Sequence, residues 1–391
     1  MPASGAARLH PRRTATDMTD RHQRSRVRRV ALRIVFSAFL TVLLSALLEV
    51  AARVLWVDQY GLGSGRATVT VLQQRKQTRM HPPRLDMTMR ADGIYEGAGA
   101  VRFRTDARSA LVAGGSPAPG SGGQPVWIAL GGSTTECALV PEGQRWPDRL
   151  PEPVANFGVS GNTSMHSLRN LVALLPLGPR RVYVMHAYND VLALTRQGEQ
   201  LDLSAYEGGD LDLYASERPR GWLGGSRLLG FLTHLRGELL GRYYLDHYRG
   251  FVASQSAKAW LDDRAFEQLL AIAQDALLRQ RGEILAEMAR LSVAARFELV
   301  VVTQPHAYSA ARLDGPDLRT SFVWRGCKLR FLHCARLLDA VNEHTREVCR
   351  RLGVMVVDAA GAFAGRDQGP LFYDQVHYTP AGCRALAELL R

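Results

Sequence analysis

The chain has 391 residues and a formal net charge of +12 at pH 7, with 46% hydrophobic and 22% charged residues. This composition is typical of a globular protein and excludes a wholly disordered chain or a coiled coil. Five cysteines in so long a chain exclude a small disulfide-stapled fold. A mean hydropathy of −0.12 disfavours a polytopic membrane protein.

The excess positive charge is concentrated at the N-terminus. Residues 1–33 hold nine arginines and only two acidic residues, so this segment carries +7 of the net charge. It lacks the interleaved aromatic residues of a nucleic-acid-binding segment, and it directly precedes an apolar run. We therefore expect a basic cytoplasmic tail over residues 1–33 and no nucleic-acid partner.

An apolar run follows this tail. Residues 34–48 contain no charge, and Trp56 and Tyr60 stand where an interfacial aromatic belt is expected. Basic residues before the run and few after it predict a single-pass transmembrane helix over residues 34–57, with a cytoplasmic N-terminus and an extracytoplasmic remainder. A cleaved signal peptide ending near residues 50–52 and a buried core helix remain as alternatives.

Residues 58–125 have no strong periodicity and end in a Gly-, Ser- and Pro-rich stretch, which predicts a loosely organised connector. From residue 126 to residue 391, short apolar runs alternate with helical periodicity, which predicts an α/β domain with a parallel sheet. The expected strands are 126–130, 154–157, 182–186, 299–303 and 354–357. The expected helices are 163–175, 261–295, 331–352 and 379–390. Five such strands fit the flavodoxin-like order 2-1-3-4-5.

Ligands bind such sheets at the carboxyl ends of the strands, so the residues there carry the functional prediction. Residues 131–136 follow strand 1, residues 158–163 follow strand 2, and residues 187–190 follow strand 3. Residues 374–377 come after strand 5. We expect the chemistry of the protein to lie in these stretches, at one edge of the sheet.

Four short motifs at these positions resemble the SGNH (GDSL-type) serine hydrolase superfamily of the membrane-anchored bacterial type. They are Gly131-Gly132-Ser133, Asn156-Phe157-Gly158-Val159-Ser160-Gly161, Tyr188-Asn189-Asp190 and Asp374-Gln375-Val376-His377, in the order of the family. The resemblance covers residues 126–391 and implies a three-layer α/β hydrolase domain. It departs from the usual pattern at Gly132, where an Asp is common, and at Ala187, where a Gly is common.

By this resemblance Ser133 is the nucleophile, His377 its base and Asp374 the carboxylate that orients the base. Gly161 and Asn189, with the backbone amide of Ser133, are expected to form the oxyanion hole. The chemistry agrees, because a serine hydroxyl needs a base and an imidazole needs a carboxylate to fix its tautomer. Gln304, just past strand 4, is expected to contact substrate.

Each of these residues also has a purely structural interpretation. Ser133 to Glu136 reads as a helix capping box, and glycines such as Gly161 are common in turns. Cys327 and Cys334, the closest pair of cysteines in sequence, form either a disulfide or two isolated thiols. The scattered histidines show no metal-binding spacing, and we expect neither a metal nor a cofactor.

The sequence thus predicts an extracytoplasmic esterase that hydrolyses O-acyl esters through an acyl-enzyme, with an acylated cell-surface glycan or lipid as substrate. Two alternatives remain open at this stage. An O-acyltransferase would use the same residues to pass the acyl group to a sugar hydroxyl. A non-catalytic ligand-binding module would use the same fold without covalent chemistry.

Overall fold

The computed structural model describes residues 15–55, 78–81, 83–91, 93–114, 126–204, 228, 232, 259–308 and 322–391. The predicted interfacial residues Trp56 and Tyr60 lie outside the described residues, as do residues 1–14 of the predicted tail and residues 56–77 and 115–125.

The described elements are given in chain order. The N-terminal part comprises α1 Ala15–Leu55, β1 Asp86–Arg90 and β2 Ala100–Arg104. The next elements are β3 Val126–Gly131, α2 Ser133–Glu136, β4 Val154–Asn156, α3 Ser164–Leu174, β5 Pro179–Met185 and α4 Tyr188–Gln197. Then come α5 Asp263–Ile272, a π-helical turn Ala273–Leu277, α6 Leu278–Ala295 and β6 Glu298–Val302. The chain ends with β7 Val323–Trp324, β8 Cys327–Lys328, α7 Phe331–Leu352, β9 Met355–Val357, α8 Ala359–Ala364 and α9 Pro380–Leu389.

A five-stranded parallel sheet forms the centre of the domain. Its order is β4-β3-β5-β6-β9, which is the predicted order 2-1-3-4-5 when the strands are counted within the sheet. Alternate residues of β5 point to opposite faces: Val182 and Val184 join one apolar cluster, and Tyr183 and Met185 join the other. A parallel sheet needs cover on both faces, and its strands are therefore apolar throughout. The predicted three-layer α/β class is confirmed.

Helices complete the two outer layers. Residues of α3, α5, α6 and α7 belong to the cluster on one face, and residues of α8 and α9 belong to the cluster on the other. Thr379 caps α9 by accepting a hydrogen bond from the Gly382 amide, and Pro380 occupies the first turn. Helices over 163–175, 331–352 and 379–390 were expected and are present within one or two residues. The expected helix 261–295 is continuous but contains the π-helical turn.

The described part of the predicted connector differs from a loose linker. Strands β1 and β2 form an antiparallel hairpin, and Leu111 makes an isolated antiparallel bridge to Asn156 at the edge of the central sheet. Leu85, Phe103 and Leu111 form a buried apolar cluster against Ala138. The sequence did not reveal this packing because the hairpin is short and its partner surface is contributed by distant residues.

Helix α1 contains a segment, Leu32–Ala52, that is long and apolar enough to cross a membrane by length and composition. Its large apolar side chains are exposed, for example Phe36 at 64% and Leu47 at 59%. In the part of the chain that the structure describes, the segment therefore does not behave as a core helix, whose apolar face would be covered.

If the hairpin is an integral part of the domain, removing a side chain from its buried apolar cluster will destabilise the whole domain. Phe103 is only 3% exposed, so Phe103→Ala leaves a cavity, and we expect the free energy of unfolding to fall by about 3 kcal/mol. Chemical denaturation of the full chain in detergent measures this value. Val293→Ala, at a site 79% exposed, is the control and should change stability little. Equal stabilities of the two variants would contradict an integral hairpin.

Candidate active site

Ser133 lies directly after β3, at the first position of the single helical turn α2. The N-cap is Gly132, and no side chain caps the turn. The capping-box interpretation is therefore wrong for this turn: the Ser133 hydroxyl lies 2.7 Å from His377 Nε2 instead of capping it. A capping box is present at the next helix, between Thr163 and His166. Because the first amides of a helix lack partners within it, the Ser133 N–H remains able to donate to a ligand.

His377 approaches Ser133 from a loop that a single carboxylate shapes. Asp374 Oδ1 accepts hydrogen bonds from the backbone amides of Val376 and His377, at 2.9 and 2.8 Å. Asp374 Oδ2 lies 2.7 Å from His377 Nδ1. The loop is fixed to the end of β6 by a bond from the Ala307 amide to the Gln375 carbonyl, at 2.7 Å. One side chain thus sets both the turn and the orientation of the imidazole.

The electrostatics of this pair favour an ionised Asp374 and a basic His377. Burial would raise the pKa of Asp374, but the His377 charge and the bonds from His377 and Val376 outweigh it and lower that pKa. Burial would lower the pKa of His377, but the Asp374 carboxylate outweighs it and raises the pKa above its ordinary value. A base with a raised pKa takes a proton from a hydroxyl more readily.

Of the other two predicted residues, Gly161 lies on the loop after β4 and Asn189 in the first turn of α4. Gly161 has φ +79°, a left-handed conformation that favours glycine. The Asn189 side chain donates one hydrogen bond to the Asn162 carbonyl, at 2.8 Å, which leaves its second amide hydrogen for another acceptor. A Cβ on Gly132 would lie 2.3 Å from Asn189 Nδ2. The Asn189 amide can occupy this position because residue 132 has no side chain. The structure thus brings all five predicted residues to one edge of the sheet.

A buried ion pair supports the first turn of α4, which carries Asn189. Asp190 and Arg281 form a salt bridge with side chains 0% and 2% exposed. Arg281 Nη2 also donates to the His186 carbonyl at 3.0 Å and to Thr345 Oγ1 at 3.1 Å, and burial lowers the pKa of Arg281 to about 10. Asp190 Oδ1 accepts from the Ser164 amide at 2.8 Å. These contacts link α3, α4, α6 and α7 next to Asn189.

Gln304 lies just past β6, as expected, and its side chain bonds to the backbone of the protein. Its side chain is 3% exposed, and Oε1 accepts hydrogen bonds from the amides of Ala187 and Tyr188, at 2.7 and 3.0 Å. Its backbone is fixed by Asn342. The bonds of Gln304 therefore hold the start of α4, which carries Asn189, and direct contact with substrate remains an untested prediction. Ala187 is fully buried among core residues.

The histidines near this edge of the sheet make contacts with neighbouring side chains of the protein. His186 Nε2 lies 2.6 Å from Ser167 Oγ, and burial and the Arg281 charge lower the pKa of His186 well below its ordinary range. Burial lowers the pKa of His166 to about 3. His306 contacts Asp339 at 3.0 Å. Among the described residues no group of three or more His, Cys, Asp or Glu side chains is arranged to hold a metal ion.

Two features of the site were not found from the sequence. Glu136, 3% exposed, accepts hydrogen bonds from Ser160 and contacts His81 Nε2 at 2.8 Å. Tyr373 stacks on His377 with ring centroids 5.5 Å apart, and Tyr95 stacks on Tyr373 at 5.9 Å. Glu136 had been assigned to the capping box, and His81 and Tyr95 lie in the predicted connector. No sequence pattern marks these contacts, because they join segments far apart in the chain.

Ser133, His377 and Asp374 form a chain of two short contacts, the kind of arrangement in which an imidazole can take a proton from a hydroxyl. The profile of the GDSL-like Lipase/Acylhydrolase family matches residues 129–385, about two thirds of the chain. The chain therefore belongs to this family, and it is an ester-hydrolysing enzyme.

Three solved structures with similar folds illustrate the comparison. An α/β hydrolase, LAE5, from the metagenome of Lake Arreo, Spain, is 17% identical, with 70% of this chain and 94% of that chain covered and a TM-score of 0.35. Axe2, an acetylxylan esterase from Geobacillus stearothermophilus, is 15% identical, with 68% and 92% covered and a TM-score of 0.34. A putative acylhydrolase from Bacteroides fragilis NCTC 9343 is 13% identical, with 70% and 88% covered and a TM-score of 0.34. No curated protein matches the sequence significantly.

The raised pKa of His377 gives a pH test. If His377 is the base, ester hydrolysis rises with pH as His377 loses its proton, with a midpoint above about 6.5. Asp374→Asn removes the charge that raises this pKa, so the midpoint moves to lower pH, and kcat/KM falls by about a thousandfold or more. The pH dependence of kcat/KM on a soluble ester measures both effects.

Asp367→Asn is the matched control, because Asp367 accepts a local hydrogen bond from the Gly369 amide, two residues along the chain. We expect its pH profile to coincide with that of the wild type. An unchanged midpoint in Asp374→Asn would exclude His377 as the titrating base.

Proposed function

We propose that this protein is a membrane-anchored, extracytoplasmic carboxylic ester hydrolase with Ser133, His377 and Asp374 as its triad. The observation that carries the proposal is the chain of two short contacts, 2.7 Å from Ser133 Oγ to His377 Nε2 and 2.7 Å from His377 Nδ1 to Asp374 Oδ2. A non-catalytic binding module would have no need for this alignment. The side chain of His377 is 24% exposed, so substrate has access to the base.

The reaction begins when His377 takes the proton of the Ser133 hydroxyl and the oxygen attacks the acyl carbon of the ester. The negative charge on the former carbonyl oxygen is stabilised by the amides of Ser133, Gly161 and Asn189, which the fold holds in place before the reaction. His377 then gives its proton to the leaving alcohol. An acyl-enzyme on Ser133 remains.

Water completes the cycle. His377 removes a proton from a water molecule, which attacks the acyl-enzyme, and the acid leaves as Ser133 regains its hydrogen. Asp374 stays ionised throughout and stabilises the positively charged imidazole in both steps. If a sugar hydroxyl replaces water at this point, the product is a transferred acyl group, and the same residues perform the acyltransferase reaction.

The location follows from the N-terminal segment. Leu32–Ala52 is apolar, exposed and of spanning length, and the arginine-rich residues 1–33 precede it. By the positive-inside rule this arrangement supports an anchor with a cytoplasmic N-terminus and an active site outside the membrane. The O-acyl esters within reach of an active site there are those of cell-surface glycans and lipids, which we propose as the substrate class.

Serine-directed labelling tests the chemistry and the location together. A membrane-impermeant fluorophosphonate added to intact spheroplasts should label the wild-type protein at Ser133, because only an activated serine reacts. Ser133→Ala should lose both labelling and hydrolysis of a short-chain chromogenic ester. Peptide mapping and ester turnover are the measurements.

Ser292→Ala is the matched control, since the Ser292 hydroxyl donates to a carbonyl of its own helix. It should label and hydrolyse as the wild type does. Hydrolysis that survives Ser133→Ala would overturn the triad, and labelling only after lysis would overturn the location. Acyl transfer to an added polysaccharide in place of free acid would assign the transferase reaction.

A further inference from the structure

Glu136 is a buried carboxylate beside the site that the proposed reaction does not use. It ends the turn that begins with Ser133, and its side chain points to the loop of residues 158–161. Glu136 Oε2 accepts hydrogen bonds from the Ser160 hydroxyl and from the Ser160 amide, the latter at 3.0 Å. Two bonds to one residue fix that residue more firmly than either does alone.

The same loop also presses against the backbone of the turn. A Cβ on Gly158 would lie 2.3 Å from the Glu136 nitrogen, so only glycine permits this approach. The Gly158 amide donates to Asn156 Oδ1 at 2.9 Å, and the Val159 amide donates to the Gly131 carbonyl at 3.1 Å. Gly161, the next residue after Ser160, is thereby held at a fixed distance from Ser133.

His81 reaches Glu136 from outside the matched domain. Its Nε2 lies 2.8 Å from Glu136 Oε1, and its ring packs edge-on against Phe103. The Arg79 carbonyl, two residues before His81, accepts hydrogen bonds from the side chains of Asn162, just after this loop, and Asn170 of α3. Residues 78–81 precede the family match, which begins at residue 129.

Glu136 carries its negative charge in this setting. Burial would raise the pKa of its carboxyl, but the contacts with His81 and Ser160 outweigh burial and lower the pKa. The Glu136 charge also adds to the Asp374 charge in raising the pKa of His377. A charged acceptor makes stronger hydrogen bonds than a neutral one, which suits a residue that must hold a loop still.

We propose that Glu136 and His81 are positioning residues for ester hydrolysis: Glu136 holds the loop that presents the Gly161 amide, and His81 holds Glu136. This inference rests on the proposed function, in which the Gly161 amide binds the oxyanion. Preorganised donors lower the barrier because they need no rearrangement during the reaction. The segment before the hydrolase domain is thus part of the catalytic apparatus.

The test compares Glu136→Gln, Ser160→Ala and His81→Ala with Glu142→Gln. Glu142 is the matched control, because it pairs with Arg104 of the hairpin and so links the same segment to the domain without touching Ser160. We expect Glu136→Gln to lower kcat by about tenfold to a hundredfold with little change in KM, since a small displacement of a donor costs this much. Ser160→Ala and His81→Ala should lower kcat less, and Glu142→Gln should leave it unchanged.

The pH profile supplies a readout that a purely structural role would not move. Asp374 and Glu136 are the charged groups that raise the pKa of His377, so Glu136→Gln should move the midpoint to lower pH. Thermal melting identifies any variant that fails to fold, and the two milder variants then carry the test. Wild-type kcat in the folded variants, or an equal loss in Glu142→Gln, would overturn the proposal. If Ser133→Ala is also active, the proposed function itself has failed.

A second observation, independent of the first, concerns two buried cysteines. Cys137 follows Glu136 and is 5% exposed, and Cys383 lies in α9 and is 0% exposed. Their sulfur atoms are 3.7 Å apart. Cys137 has φ +49°, a left-handed conformation that is unusual for a residue other than Gly, Asn or Asp. All five cysteines are thiols in the structure, and whether Cys327 and Cys334 form a disulfide or two isolated thiols stays a prediction.

The structure assigns Cys137 and Cys383 as a disulfide pair in the exported protein. This inference uses the extracytoplasmic location of the proposed function, because oxidising compartments permit disulfides. The two S–H bonds are replaced by one S–S bond, and two electrons and two protons pass to the disulfide of a thiol oxidoreductase, which becomes a dithiol. The disulfide joins the end of the turn that carries Ser133 to the helix that follows His377. It therefore links the two segments that carry these residues by a covalent bond.

Alkylation of the denatured full-length protein, purified from membranes, tests this assignment. Without reductant three of the five cysteines should react, and after reduction all five should react. Peptide mapping should identify Cys137 and Cys383 as the two that react only after reduction. Cys349→Ser, at an equally buried cysteine, should leave the bridge intact, whereas Cys137→Ser should abolish it. Five reactive thiols without reductant, or a bridge between Cys327 and Cys334, would overturn the assignment. Ester turnover is measured separately, so a failed esterase assay does not affect this result.

Discussion

The hydrogen bond between Ser133 and His377 joins residues that are 244 positions apart in the chain. A contact of 2.7 Å over such a separation requires a rigid frame, and the parallel sheet is that frame. All five strands end at one edge, so the loops after β3, β4 and β5 meet there. The loop that carries Asp374 and His377 reaches the same edge through its bond to Ala307.

The rest of the site can be understood as support for that contact and for the donors beside it. Asp374 uses one oxygen to shape the loop and the other to orient the imidazole. Gln304 holds the first amides of α4, and the buried pair of Asp190 and Arg281 holds the residues behind Asn189. Removing one member of such a buried pair leaves an uncompensated charge, so Asp190 and Arg281 depend on each other to hold the residues around Asn189. Gln304, Asp190 and Arg281 are buried, which strengthens their electrostatic interactions.

The segment before the hydrolase domain changes the description of the molecule. It is outside the family match, yet its hairpin packs into the domain and its His81 contacts Glu136. Tyr95 of the same segment stacks on Tyr373, which stacks on His377. The described part of the segment therefore packs against the residues around Ser133 and His377.

The sequence by itself determined the α/β class and the strand order, and the family resemblance supplied five candidate site residues, whose roles stay predictions. These features are local: apolar runs mark buried strands, and each candidate residue stands within a few positions of the end of a strand or in a short motif. The sequence did not indicate the bonds that Gln304 makes to the start of α4, and its contact with substrate stays a prediction. Nor did it indicate the partners of Glu136, whose place in an apparent capping box concealed its contacts with Ser160 and His81. Only the tertiary structure decided the contacts of Gln304 and Glu136. Both side chains are long enough to reach partners on segments that are distant in sequence, and no local sequence pattern indicates such partners.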